Sequence, residues 1–302
     1  IATAWHALIT CTLTPAWFPA HAELWHAPTW FLSALTFATA ALPFALPPIA
    51  RWRARGLRVA MGVLTAISLL MKLAYSYDCN AWFFMEGTMA AKTHPNWMFW
   101  NQTRFSPFAA LIDVLIGCVA CRMVTTRECD PSEDPDWETE KSRGPGVMLG
   151  GEPGTLAASP AIPLAGMLLV IFARAFGWLS LNDALTRCVF FVPLFTAFVM
   201  RVHAQTAYAD VPASERGDAT YNSFSKVLGA KPLTYLGAIS FPIYILHGPI
   251  GQIFYKRAVA AKLFGVVFTK YPEFFPAYLG IVLVAAVLTH ERIILKEMMK
   301  IG

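Results

Sequence analysis

Seven runs of apolar side chains, 28 to 49, 57 to 75, 106 to 125, 160 to 180, 184 to 203, 233 to 255 and 274 to 295, each come close to twenty residues. An eighth, 1 to 14, is shorter. About twenty residues of helix are what it takes to cross roughly 30 Å of hydrocarbon. The chain is 56% hydrophobic and 14% charged, against about 25% charged in a soluble domain, so one aqueous core cannot absorb this much apolar side chain. The expected fold is all-α, a polytopic transmembrane helical bundle of about eight spans with the lipid bilayer as its solvent.

A net charge of +5 raises the question of an anionic partner. The Lys and Arg residues lie mostly between the apolar runs, which reads as membrane topology and implies no nucleic acid partner. If the first run leads outward, one set of loops and the tail hold fifteen cations: Arg51, Arg53, Arg55, Arg58, Arg122, Arg127, Lys141, Arg143, Arg201, Arg216, Lys226, Lys231, Arg292, Lys296 and Lys300. The other set holds six, Lys92, Arg104, Lys256, Arg257, Lys262 and Lys270. The first set is therefore expected on the cytoplasmic side. Four of the six opposing cations fall in 256 to 270, which suggests an interfacial helix within 251 to 267 or an incomplete crossing by 233 to 255. Nothing in the sequence chooses between plasma membrane and endomembrane.

Residues 126 to 159 are acidic and rich in Pro and Gly, the composition of a solvated, poorly ordered cytoplasmic loop inside a single domain spanning 1 to 302. The outer loop 76 to 105 carries Trp82, Phe83, Phe84, Trp97, Phe99 and Trp100, an aromatic belt at the headgroups or a lid over a cavity. The six cysteines show neither a disulfide framework nor metal-binding spacing, and no metal is expected. The opening residues read as the tail of an apolar helix without a preceding Met, so the sequence is expected to be an internal piece lacking its first helices.

Ionisable side chains inside hydrocarbon are expensive and face a protein interior or a wet cavity. Lys72, Asp113, Arg174, Arg187 and His247 fall within or near the ends of the apolar runs. The three long cations can snorkel; Asp113 is too short to do so and is expected to pair with a cation, so Lys72 and Asp113 are structural or cavity-lining candidates. The segment LGAISFPIYILHGPIGQ, Leu236 to Gln252, places Pro242 before Tyr244 and His247 and Gly248-Pro249 after them. A broken helix is expected near 240–250, since proline removes a backbone donor. Ser240, Tyr244 and His247 recur at i, i+4 and i+7, one helical face. A neutral imidazole accepts a proton near physiological pH, which suits His247 to general-base chemistry.

The stretch LTYLGAISFPIYILHGPI resembles the C-terminal signature of the acyltransferase type 3 family, integral membrane enzymes that move acyl groups onto hydroxyls of sugars, lipids or small molecules. PTWFLSAL, Pro28 to Leu35, is similar to the family's Trp-x-Leu-Ser helix. SPFAALIDVLIGC, Ser106 to Cys118, resembles its Pro-to-Gly segment, and THER, Thr289 to Arg292, sits where the family places a glutamate ending its last span. The resemblance implies an O-acyltransferase using an acyl-CoA type donor as co-substrate, with no permanently bound cofactor, and a hydroxyl-bearing acceptor. It implies His247 as a catalytic candidate, Ser240, Tyr244, Trp30 and Ser33 in substrate binding, and Glu291 as structural support. Ala34, Leu35 and Thr36 stand where many members have a glutamate. The family's Arg and His pair lies on a first helix that precedes all residues present, so that histidine would be the principal base, with His247 and Tyr244 lining or assisting. No Gly-rich phosphate loop is present, which leaves the four-arginine loop 51 to 58 as the candidate for donor binding. The rival readings are a multi-span transporter or exporter, against which no internal repeat is found, and a catalytically inactive membrane scaffold.

Overall fold

The structure, a computed structural model, describes residues 2–19, 29–83, 95–125, 159–209, 223–255, 257–265 and 272–294. Among them every regular element is helical, in the order α1 Ala2–Cys11, α2 Thr29–Arg51, α3 Ala54–Asp78, α4 Trp97–Arg104, α5 Pro107–Thr125, α6 Ala161–Ala175 and α7 Asp183–Thr186. There follow a π-helical turn Arg187–Phe191, α8 Val192–Ala209, α9 Ser223–Leu228, α10 Lys231–Tyr255, α11 Arg257–Phe264 and α12 Phe275–Thr289, which runs into a second π-turn, His290–Ile294. Short 3-10 turns at Pro15–Trp17 and Pro272–Phe274 complete the set. All eight apolar runs thus lie on helices, and the fold is an all-α helical bundle.

Among the described residues, five stretches are long and apolar enough to cross a membrane: Thr29–Arg51, Ala54–Asp78, Asn101–Thr125, Asp183–His203 and Lys231–Tyr255. The run expected over 160 to 180 forms only the 15 residues of α6, about 23 Å of helix. Gly177 ends it, with φ +74 and the paired bonds Gly177 N–H to Arg174 O (3.0 Å) and Trp178 N–H to Ala173 O (2.8 Å), the arrangement in which a left-handed residue satisfies the last carbonyls. Asn80 does the same for α3 at φ 49, donating to Tyr77 O while Ala81 N–H reaches Ser76 O.

The helix break expected near 240–250 does not occur. α10 runs continuously from Lys231 to Tyr255 with Pro242 and Pro249 inside it. Each proline removes one N–H and crowds the carbonyl four residues back, at Ala238 and Ile245; the intervening donors remain and the helix persists. The cationic stretch after it forms the separate short helix α11, with Ala260 buried and Lys262 and Leu263 exposed. The loop expected at 126 to 159 lies, except for Ser159, outside the described residues, as do residues 84–94 of the aromatic outer loop, Phe84 among them.

The chain forms two compact units. One comprises residues 1–15, 21–32 and 227–302; the other comprises 16–20 and 33–226. In the first, α10 packs along α12 and α11, with Ile239, Pro242, Val282 and Ala286 buried. In the second, α3 packs on α5, α8 packs on α5 and α6, and α7 with its π-turn packs on α3. Ile49, Leu57 and Val119 make its apolar centre.

Along α3 the second unit is held by a polar seam. Ser68, Lys72 and Ser76 stand one turn apart on a single face, and Ser76 Oγ donates to the Lys72 carbonyl at 2.7 Å. Asn182, fully buried, donates through Nδ2 to Ser76 Oγ (2.8 Å) and accepts from Leu185 N–H through Oδ1 (2.9 Å), capping α7. Its own N–H donates to Trp82 O at 2.8 Å. Asn182→Ala removes a cap and the donor to Ser76 Oγ, and should destabilise the protein by about 2 kcal/mol in thermal or denaturant unfolding in detergent. Arg174, near the end of α6, donates to Leu181 O (2.8 Å) and Thr186 Oγ1 (2.7 Å) and pairs with Asp183. It ties the turn between α6 and α7 instead of standing alone in hydrocarbon.

Cys79, just past the end of α3, is buried against Tyr75 and Ala81. Burial, and the Asp78 carboxylate beside it, push its thiol above the usual range. The thiolate is the reactive form, so a raised value means less of it at a given pH. Maleimide should label Cys79 at neutral pH only after unfolding; full labelling of the folded protein would contradict this.

Candidate active site

The functional candidates of the first unit gather on α10. Tyr244 and His247 are three residues apart, adjacent on one helical face, and their rings lie 5.6 Å apart. Phe31, the residue after Trp30 at the start of α2, sets its ring edge-on to Tyr244 at 5.1 Å, and Trp30 stacks edge-on to Phe31 at 6.1 Å. Tyr244 is half-buried and His247 exposed.

His247 Nδ1 contacts the Tyr244 carbonyl at 2.5 Å. A carbonyl only accepts, so in this contact Nδ1 carries the hydrogen, and in the neutral ring Nε2 holds the lone pair. The backbone contact therefore selects the tautomer whose far nitrogen can take a proton. From α12, Tyr278 donates its hydroxyl to the His247 carbonyl at 2.9 Å. Gly251, one turn further along α10, makes room for it: a Cβ there would meet the Tyr278 hydroxyl at 3.3 Å. Tyr278→Phe should leave the helix intact and cost about 1 kcal/mol of unfolding free energy, the net value of one hydrogen bond.

Ser240 lies on the same stretch of α10, but it is exposed and donates to the Gly237 carbonyl at 2.7 Å. Ser33 is 1% exposed and its Oγ accepts from Ala16 N–H at 3.3 Å within the second unit. Glu291, on the π-turn after α12, accepts from the Tyr235 hydroxyl of α10 at 3.0 Å; π-turns of this kind recur at functional sites.

Lys72 and Asp113 meet in the second unit. The Lys72 ammonium lies 3.4 Å from Asp113 Oδ1 and 2.6 Å from Ser68 Oγ, and Ser68 donates to the same carboxylate oxygen at 3.0 Å. Cys188 on the first π-turn approaches Ser68 at 3.6 Å. The expected pairing of Asp113 with a cation is thus a three-membered cluster with Ser68 at its centre. Sequence reasoning did not select Ser68, although its spacing of four from Lys72 was visible. Phe31, Tyr278 and Asn182 carried no such local signal.

The family model described as an acyltransferase domain matches residues 2–291, both units included. The chain belongs to the acyltransferase type 3 family. No curated protein and no solved structure matches it. Membership makes it a membrane acyltransferase, and the match ends on Glu291, the residue that accepts from Tyr235.

Proposed function

We propose that this acyltransferase moves an acyl group from an acyl-CoA type donor to a hydroxyl of a carbohydrate, lipid or small molecule, with His247 at the acceptor. The observation that carries the reading is the contact between Nδ1 and the Tyr244 carbonyl, which leaves Nε2 as a proton acceptor. As the acceptor oxygen attacks the thioester carbonyl, a C–O bond forms and the C–S bond breaks. The hydroxyl proton passes to the base, and the departing thiolate leaves as free CoA after taking up a proton. Tyr244 and Trp30, linked through Phe31, line the acceptor side. Ser240, Ser33 and Glu291 support the helices that carry it.

The test offers the protein in lipid vesicles an acyl-CoA and a panel of hydroxylated lipids and sugars. The expected product is an acceptor heavier by one acyl group in a linkage cleaved by mild base. Passage of a solute across the vesicle without covalent change would favour the transport reading instead.

A further inference from the structure

A cleft of about 400 Å³ opens in the second unit between the C-terminal half of α2 and the first half of α3, lined by Ala45, Ile49, Trp52, Gly56, Ala60 and Leu115 among others. The volume falls within the usual range of small-molecule sites. Ile49, which lines it, belongs to the buried apolar cluster with Leu57 and Val119. The small side chains Ala45, Gly56 and Ala60 leave the space open. Val59 and Val63 on its wall are 59% and 50% exposed, so the cleft opens outward along the side of the helices.

At its mouth the chain turns between α2 and α3 and carries Arg51, Arg53, Arg55 and Arg58 within eight residues. Between Glu23 and Asp78 there is no acidic residue at all. Arg51, Arg53 and Arg55 are exposed. A cationic rim on an apolar cleft is complementary to an amphiphile with an anionic head and a hydrocarbon tail. Arginine suits phosphate because its planar fork can donate two parallel hydrogen bonds, and Trp52 between the arginines is a side chain favoured at headgroup depth.

We propose that this cleft is a binding site for an anionic phospholipid, one acyl chain lying along Ala45, Ile49, Ala60 and Leu115 and the headgroup phosphate held by Arg51, Arg53 and Arg55. An acyl-CoA shares the phosphate and the chain. The lining, however, contains no hydroxyl, imidazole or carboxylate, so a thioester seated there would meet no group able to assist its transfer. A resident lipid needs none.

The experiment is native mass spectrometry of the purified full chain in detergent, titrated with phosphatidylserine, phosphatidylcholine or oleoyl-CoA of matched chain length. Phosphatidylserine should bind roughly tenfold more tightly than phosphatidylcholine, about 1.4 kcal/mol, since cations at a lipid surface favour the headgroup with net negative charge. Arg51→Gln/Arg53→Gln/Arg55→Gln, on the exposed rim, should abolish that preference. Ala60→Phe, which fills the cleft, should weaken both lipids; if it does not fold, the rim variant still decides. Equal binding of the two lipids, a preference surviving in the rim variant, or tighter binding of oleoyl-CoA at the same rim would each overturn the proposal. A dimer of the wild type that phosphatidylserine leaves intact and that Ala60→Phe abolishes would place a second copy in the cleft and would also overturn the proposal.

Discussion

His247→Ala should lower the turnover of acyl transfer by about a hundredfold or more, the lower end of what a positioned general base contributes. The side chain is exposed, so its removal opens no core cavity, and the variant should fold and unfold like wild type. The loss should appear in kcat rather than in donor KM, because in the proposed reaction the imidazole acts on the acceptor proton as the new bond forms. Tyr244→Phe supplies the comparison. It keeps the ring packed on Phe31 and the backbone carbonyl that holds Nδ1, and should cost far less than His247→Ala. A His247→Ala enzyme with unchanged turnover would remove His247 from the chemistry and leave acyl transfer to other residues.

Asp113→Ala should be among the most destabilising single changes in the second unit. The carboxylate accepts from Ser68 and faces the Lys72 ammonium, whose side chain is only 12% exposed. Removing it leaves a cation among apolar helices with one hydroxyl partner. Breaking a fully buried pair costs roughly 3–5 kcal/mol; Asp113 itself is 39% exposed, which lowers the expectation to about 2–3 kcal/mol. The double variant Lys72→Met/Asp113→Leu should recover most of the loss, since neither charge is then stranded, and a double-mutant cycle isolates the coupling. Equal stability of Asp113→Ala and wild type would mean that water or lipid headgroups already satisfy both charges.

What could be read from the sequence is what is local. Apolar runs of helical length report their own structure, and all eight appear as helices. Prolines report a missing donor, but whether a helix breaks depends on what holds the rest of it. In α10 the remaining bonds and the packing against α12 keep it whole, and the Tyr278 hydroxyl adds a bond at the His247 carbonyl. The functional groups divide in the same way. Tyr244 and His247 were visible because three residues along a helix make neighbours, and Lys72 and Asp113 because charge in hydrocarbon is rare. Asn182 was not, since its bond to Ser76 spans 106 residues and an asparagine in a turn has nothing to mark it. Ser33 is a different case: the resemblance of its motif implies substrate binding, and what the fold adds is that its buried oxygen accepts from the Ala16 backbone.

The proposal that His247 on this helical bundle serves acyl transfer to a hydroxyl is open to direct test. Its most direct measurement is the rate of free CoA release by the protein in vesicles, with and without a hydroxylated acceptor, in wild type and His247→Ala side by side. Acceptor-dependent release is expected in wild type, matched mole for mole by acylated product, and should collapse in the variant at equal folded protein. Release indifferent to the acceptor, or equal in the two proteins, would contradict it.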